Sequence, residues 1–116
     1  MSEVFIDGSG WNGKRCGYAV ATSEGLSKVE WFTEEKTNNE MEYYSLIIAL
    51  EEFAKVGDII KSDSQLVVNQ VNGKWRVKEQ RLFNSCRMAQ SKLKELSCTL
   101  VWVPREENLA GYLLEK

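Results

Sequence analysis

Val4-Phe5-Ile6-Asp7-Gly8-Ser9-Gly10-Trp11-Asn12-Gly13 is the stretch from which the fold is read. Three consecutive apolar residues, two of them β-branched, suit a strand buried on both faces. The strand is predicted to stop at Asp7, because the Gly/Ser/Asn-rich residues behind it carry turn signals. Cys16 to Thr22 and Leu26 to Phe32 supply two more strands around the tight turn Ser23-Glu24-Gly25, so the chain opens as an antiparallel meander. A helix is predicted over 41–55, with its apolar stripe on Tyr44, Ile47, Ile48, Leu50, Phe53 and Ala54, ending near Gly57. Asp58 to Ser62 reads as a fourth strand, and Ser64 to Val71 as a short helix closed by Asn72-Gly73. Leu82, Cys86, Ala89, Leu93 and Leu96 step by four and three, which predicts a helix over 80–96. Thr99 to Val103 is the fifth strand, ended by Pro104, and a last helix opens from Asn108. The order βββαβααβα predicts an α/β fold: a five-stranded mixed sheet flanked by helices, its first three strands antiparallel and the later ones parallel through right-handed crossovers.

The 116 residues, with 43% hydrophobic, 28% charged and one proline, predict one globular domain over 1–116 and leave no room for a linker. No apolar run approaches the ~20 residues that cross a bilayer, and Met1-Ser2-Glu3 lacks a signal-peptide pattern, so a cytoplasmic protein without membrane partners is expected. Nothing in the sequence calls for an obligate protein partner. Cys16, Cys86 and Cys98 are odd in number and widely spaced, which favours reduced thiols over a zinc or redox pair. With no histidine, Ser-His-Asp and Cys-His triads and His-ligated zinc are excluded. Chemistry is left to carboxylates, lysine or a metal held by oxygen.

The net charge of −2 is unevenly spread. Residues 74–94 hold seven basic side chains against one acid, Glu79, while the rest of the chain is acidic. That asymmetry fits either a solvated cationic helix face or a polyanion binder whose carboxylates gather around metal ions. Three acids occupy telling places: Asp7 after the first strand, Glu42 in the first turn of the long helix, and Asp63 after the fourth strand. If the first and fourth strands are parallel neighbours, Asp7 and Asp63 share one cleft. Each acid also has an ordinary explanation: a turn for Asp7-Gly8, a capping box with Asn39 for Glu42, and an N-cap for Asp63.

The sequence resembles the type 1 ribonucleases H. The resemblance rests on Val4-Phe5-Ile6-Asp7-Gly8-Ser9, Thr37-Asn38-Asn39-Glu40-Met41-Glu42-Tyr43, Ser62-Asp63-Ser64-Gln65-Leu66-Val67-Val68 and Trp102-Val103-Pro104-Arg105-Glu106-Glu107-Asn108, four blocks in family order and spacing. It implies an endonuclease cutting the RNA strand of RNA/DNA hybrids with two Mg2+ or Mn2+ ions, roughly 4 Å apart, in an in-line displacement. Asp7 would bridge the two ions, with Glu42 and Asp63 as further ligands. Gly8, Ser9, Gly10, Asn12, Asn38, Asn39 and Gln65 would face the hybrid, where glycine permits backbone approach to a ribose and amides reach the minor groove. Thr37 would hold a DNA phosphate, and Trp75 among Lys74, Arg76 and Lys78 would line the DNA backbone channel.

One position departs from the family pattern. A fourth metal-binding aspartate is expected where this chain has Gly111, and the family's mobile histidine is replaced by the neighbourhood of Arg105 and Glu106. Glu107 and Glu115, each four residues from Gly111, are the candidate substitutes. The alternative to a nuclease is therefore a catalytically silent nucleic-acid-binding module with the same fold.

Overall fold

The structure, a computed structural model, describes residues 2–114. Its sheet has the order β3-β2-β1-β4-β5, from β1 (Glu3–Ser9), β2 (Cys16–Thr22), β3 (Ser27–Phe32), β4 (Ile59–Ser62) and β5 (Thr99–Trp102). β1 pairs antiparallel with β2, and β2 with β3; β1 and β4, then β4 and β5, pair in parallel. The expected mixed sheet is thus observed, with β1 as the strand at which direction changes. Helices α1 (Asn38–Ile48), α2 (Gln65–Val71) and α3 (Gln80–Leu96) bury the main core against one face, through Val4, Ile6, Val20, Leu46, Leu82 and Leu93 among others. The short α4 (Leu109–Leu114) covers the other face, where Ala110 and Leu114 meet Phe5 and Ala19.

Three local expectations are corrected. β1 does not stop at Asp7: Gly8 pairs with Tyr18 and Ser9 with Gly17. A long β2 partner gives these residues a ladder to join, and that outweighs the turn preference of an Asp-Gly pair. α1 starts at Asn38, not 41, because Thr37 and Glu40 form the capping box: the Glu40 N–H donates to the Thr37 hydroxyl (3.1 Å) and the Thr37 N–H to the Glu40 carboxylate (2.9 Å). Glu42 therefore lies in the second turn and takes no part in a box with Asn39. Burial acts to raise the Glu40 carboxyl, but the Thr37 N–H and hydroxyl, with Lys36 and Arg81, outweigh it and hold the group below the usual carboxylate range.

The rest of the expected helix is also altered. Ala49–Phe53 forms a π-turn, closed by the Ala54 N–H on the Ala49 carbonyl, in place of α-helix to 55. The buried face runs through Met41, Tyr43, Leu46, Ala49 and Leu50, whereas Tyr44 is exposed and Ile47 half-buried. α3 keeps the expected stripe of Leu82, Cys86, Ala89 and Leu93.

The glycines of the β1 end explain how closely it meets α1. A Cβ on Gly8 would fall 2.3–2.5 Å from backbone atoms of Met41 and Glu42, and one on Gly10 would fall 2.5 Å from the Asn38 nitrogen. Helix backbone cannot yield as a side chain would. Gly8→Ala is therefore expected to lower unfolding stability by about 3 kcal/mol, the upper range for overpacking, read as a reduced urea midpoint at unchanged m-value. A midpoint equal to that of the unaltered chain would show that β1 and α1 can separate freely.

Candidate active site

β1 outruns β4: their pairing ends at Ile6 and Ser62. Beyond that point the N–H groups of Gly8, in β1, and of Gly10, just past its end, are met by α1 side chains one helical turn apart. The Gly8 N–H donates to Glu42 Oε1 and the Gly10 N–H to Asn38 Oδ1. The same register places Asp7, fully buried, on the α4 face of the sheet beside Glu42. Asp63 follows β4 in the turn before α2, and Ser64, not Asp63, caps that helix by accepting the Val67 N–H (3.2 Å). The N-cap explanation of Asp63 is thereby removed.

Carboxylate oxygens of Asp7, Glu42 and Asp63 all lie within 4.8 Å of one another. Three carboxylates at this spacing, two of them buried, repel strongly, and an oxygen-ligated cation relieves that repulsion. The donor set is all hard oxygen, which suits Mg2+ or Mn2+ and not a thiophilic metal.

Two further residues complete the geometry. A Cβ built on Gly111 would lie 3.5 Å from Asp7 Oδ2, so α4 presents this position directly to the cluster. Neighbouring Tyr112 points away: it is exposed, and its hydroxyl donates to the Glu106 carbonyl (2.7 Å). Glu107 lies on the exposed 3-10 turn Arg105–Glu107 and does not join the three carboxylates, while Glu115 lies outside the described residues. Asn108, which sequence reasoning quoted only as part of a motif, is fully buried and donates to Asp63 Oδ2 (3.0 Å) and the Ile6 carbonyl (2.8 Å). Its one local signal is that of an asparagine opening the last helix, where its Oδ1 accepts the Ala110 N–H (3.1 Å); both groups to which it donates are distant in sequence.

The expected hybrid-facing residues divide into two groups. Gly8 and Gly10 are spent on the approach of β1 to α1, and Gly8 is buried. Asn38 Oδ1 is engaged by Gly10, and the Thr37 hydroxyl by the α1 cap. Asn12 shapes its own loop by accepting from the Lys14 and Arg15 N–H groups. Ser9 and Asn39 are half-buried, and Gln65 is exposed at the start of α2. Lys74, Trp75, Arg76 and Lys78 lie in the exposed connection between α2 and α3, so Trp75 is not a core residue. Among the described residues, Lys74, Arg76 and Lys78 form no ion pair, whereas Arg81 pairs with Glu40 and Glu79, and Lys92 with Glu51.

Comparison with known proteins agrees with this geometry. The family model described as reverse transcriptase-like matches residues 12–114. Bifunctional protein Rv2228c of Mycobacterium tuberculosis is 37% identical over 76 residues, 62% of this chain and 21% of that protein, so the chain spans about a fifth of the length of the curated relatives it matches. The solved N-terminal RNase H domain of Rv2228c, a fusion with maltose-binding protein, superposes with a TM-score of 0.79 at 27% identity over 92% of this chain and 84% of that one. LC11-RNase H1 in complex with an RNA/DNA hybrid gives a TM-score of 0.78 at 26% identity, covering 94% and 89% of the two chains. No described helix is long and apolar enough to cross a membrane. The chain belongs to the reverse transcriptase-like family, and its fold is that of the ribonucleases H.

Proposed function

We propose that this chain is a divalent-metal-dependent endoribonuclease acting on the RNA strand of RNA/DNA hybrids, with a metal site that lacks one carboxylate at Gly111. The observation that carries this reading is the convergence of Asp7, Glu42 and Asp63, from three separate elements, to within 4.8 Å. Divalent cations, when bound, supply the acidity and charge neutralisation that phosphodiester hydrolysis needs at neutral pH. The chain's own residues supply the rest. Asp7, Glu42 and Asp63 would provide the oxygen donors that hold such cations. Ser9, Asn12, Asn38, Asn39 and Gln65 would offer the hybrid polar groups suited to ribose and minor-groove edges. A solved relative binds such a hybrid, which supports the substrate assignment.

Lys74, Trp75, Arg76 and Lys78 would hold the DNA strand, with Thr37 at a further phosphate. Contacts of this kind position a duplex without reading its sequence. Substituting alanine for Lys74, Arg76 and Lys78 together is expected to weaken hybrid binding and flatten the slope of log K against log salt by about 3 units, near one per phosphate contact. Turnover at saturating hybrid should change far less. An unchanged salt slope would reduce this connection to a solvated surface.

The second reading, a hybrid-binding module without turnover, is favoured by one observation: glycine at position 111 offers no side-chain oxygen beside Asp7. Incubating labelled hybrid with Mn2+ separates the two, since the module would shift the hybrid in a gel and leave its RNA intact.

A further inference from the structure

We propose that Asn108 is a positioning residue that fixes the Asp63 carboxylate for cation binding; the cation half of this inference rests on the metal-site reading above. Its amide joins three elements. The nitrogen donates to Asp63 Oδ2 (3.0 Å), in the turn after β4, and to the carbonyl of Ile6 (2.8 Å), the residue before Asp7 in β1. The oxygen accepts the N–H of Ala110 (3.1 Å), the residue before Gly111 in α4. Each of these groups has one polarity only, so the amide has a single orientation that satisfies all of them.

Asp63 is half-buried in a turn and needs such a restraint, since a carboxylate there can rotate away from Asp7 and Glu42. Asn108 is fully buried and is anchored on β1, so it holds Asp63 at a fixed offset from the strand that carries Asp7. No other common side chain meets the same demands. Serine can cap α4 but has one short donor, and aspartate can cap but would repel Asp63. Loss of a hydrogen-bond partner behind a metal ligand typically weakens metal affinity about 10–100-fold. With Gly111 adding no donor, the site depends more heavily on the placement of Asp63.

Asn108→Ser keeps a helix cap and removes the reach to Asp63, which separates positioning from capping. Mn2+ titration calorimetry on the protein without nucleic acid is expected to show affinity about 10–100-fold lower in Asn108→Ser. The control Asn72→Ser, which loses a bond to the Leu100 carbonyl far from the carboxylates, should match the unaltered chain. The second arm uses no metal: melting temperatures of Asn108→Ser, Asp63→Ala and the double variant. A positioning contact predicts that the two shifts do not add, because either change alone removes the shared bond. Should Asn108→Ser fail to fold, Asn108→Thr, which also caps, replaces it in both arms. Equal Mn2+ affinity or additive shifts would overturn the inference. Absence of Mn2+ binding in the unaltered chain would instead overturn the metal site, and the additivity test would still decide whether Asn108 holds Asp63.

Discussion

Asp7→Asn is expected to lower metal-dependent cleavage of an RNA/DNA hybrid by about 10²–10³-fold, the range seen when one strong electrostatic contact to a reacting centre is lost, while leaving the fold intact. Asp7 is the fully buried member of the cluster; its carboxylate lies within 4.8 Å of those of Glu42 and Asp63, and its Oδ2 lies 3.5 Å from a Cβ built on Gly111. An amide keeps the shape and removes the charge that a cation would share. The same change should raise the melting temperature of the metal-free protein by several degrees. Unit charges within 4.8 Å of one another repel by roughly 3 kcal/mol at an effective dielectric of 20, and asparagine removes the charge that both neighbours feel. Millimolar Mn2+ should stabilise the unaltered chain and not the variant, because only a folded state with the carboxylates assembled binds it. Circular dichroism melts with and without Mn2+, beside a cleavage assay, check all three outcomes. Full activity in Asp7→Asn would remove Asp7 from the catalytic centre.

Gly111→Asp is expected to act in the opposite direction, raising activity and lowering the metal concentration at half-maximal rate by about an order of magnitude or more. The Cβ direction at 111 points at Asp7 Oδ2 from 3.5 Å, ordinary van der Waals distance, so a side chain can be added without forcing α4 off the sheet. A fourth oxygen donor strengthens a site otherwise built from three. In the unaltered chain, Mn2+ should support more activity than Mg2+, because Mn2+ tolerates a poorer ligand set and binds oxygen and nitrogen sites more tightly. Aspartate also has a better helix propensity than glycine, by a few tenths of a kcal/mol, but its charge adds to the repulsion in the cluster. Any stabilisation should therefore appear only with metal bound. Rates measured over Mg2+ and Mn2+ series for both forms provide the check. Identical curves would mean that position 111 contributes nothing to the site.

The parts legible in the sequence were those fixed by short-range pattern or by a run of motifs. The five strands and the stripe of α3 follow from spacing that a linear reading can see, and the three acids stand in motif blocks that keep their order along the chain. What escaped it depended on partners far along the chain. β1 continues through Gly8 and Ser9 because β2 offers them a ladder, which an Asp-Gly turn signal cannot register. The π-turn at Ala49–Phe53 replaces the regular helix predicted to 55, and Tyr44, predicted as core, is exposed within regular α1, whose buried face runs through Met41, Tyr43 and Leu46. Gly8 and Gly10 carry the turn signature, yet their use is close contact with α1. Asn108 lies 102 residues from Ile6 and 45 from Asp63, and only the folded sheet brings the three together.

In the proposed function, Asp7, Glu42 and Asp63 make a metal site that cuts RNA opposite DNA. The most direct test of that function is the fate of a hybrid labelled on each strand in turn, incubated with the unaltered chain over a Mn2+ series and resolved at single-nucleotide length. Fragments of the RNA strand only are expected, increasing with Mn2+ and absent with Asp7→Asn. An RNA strand that stays intact at every Mn2+ concentration while the protein holds the hybrid would contradict the proposed function.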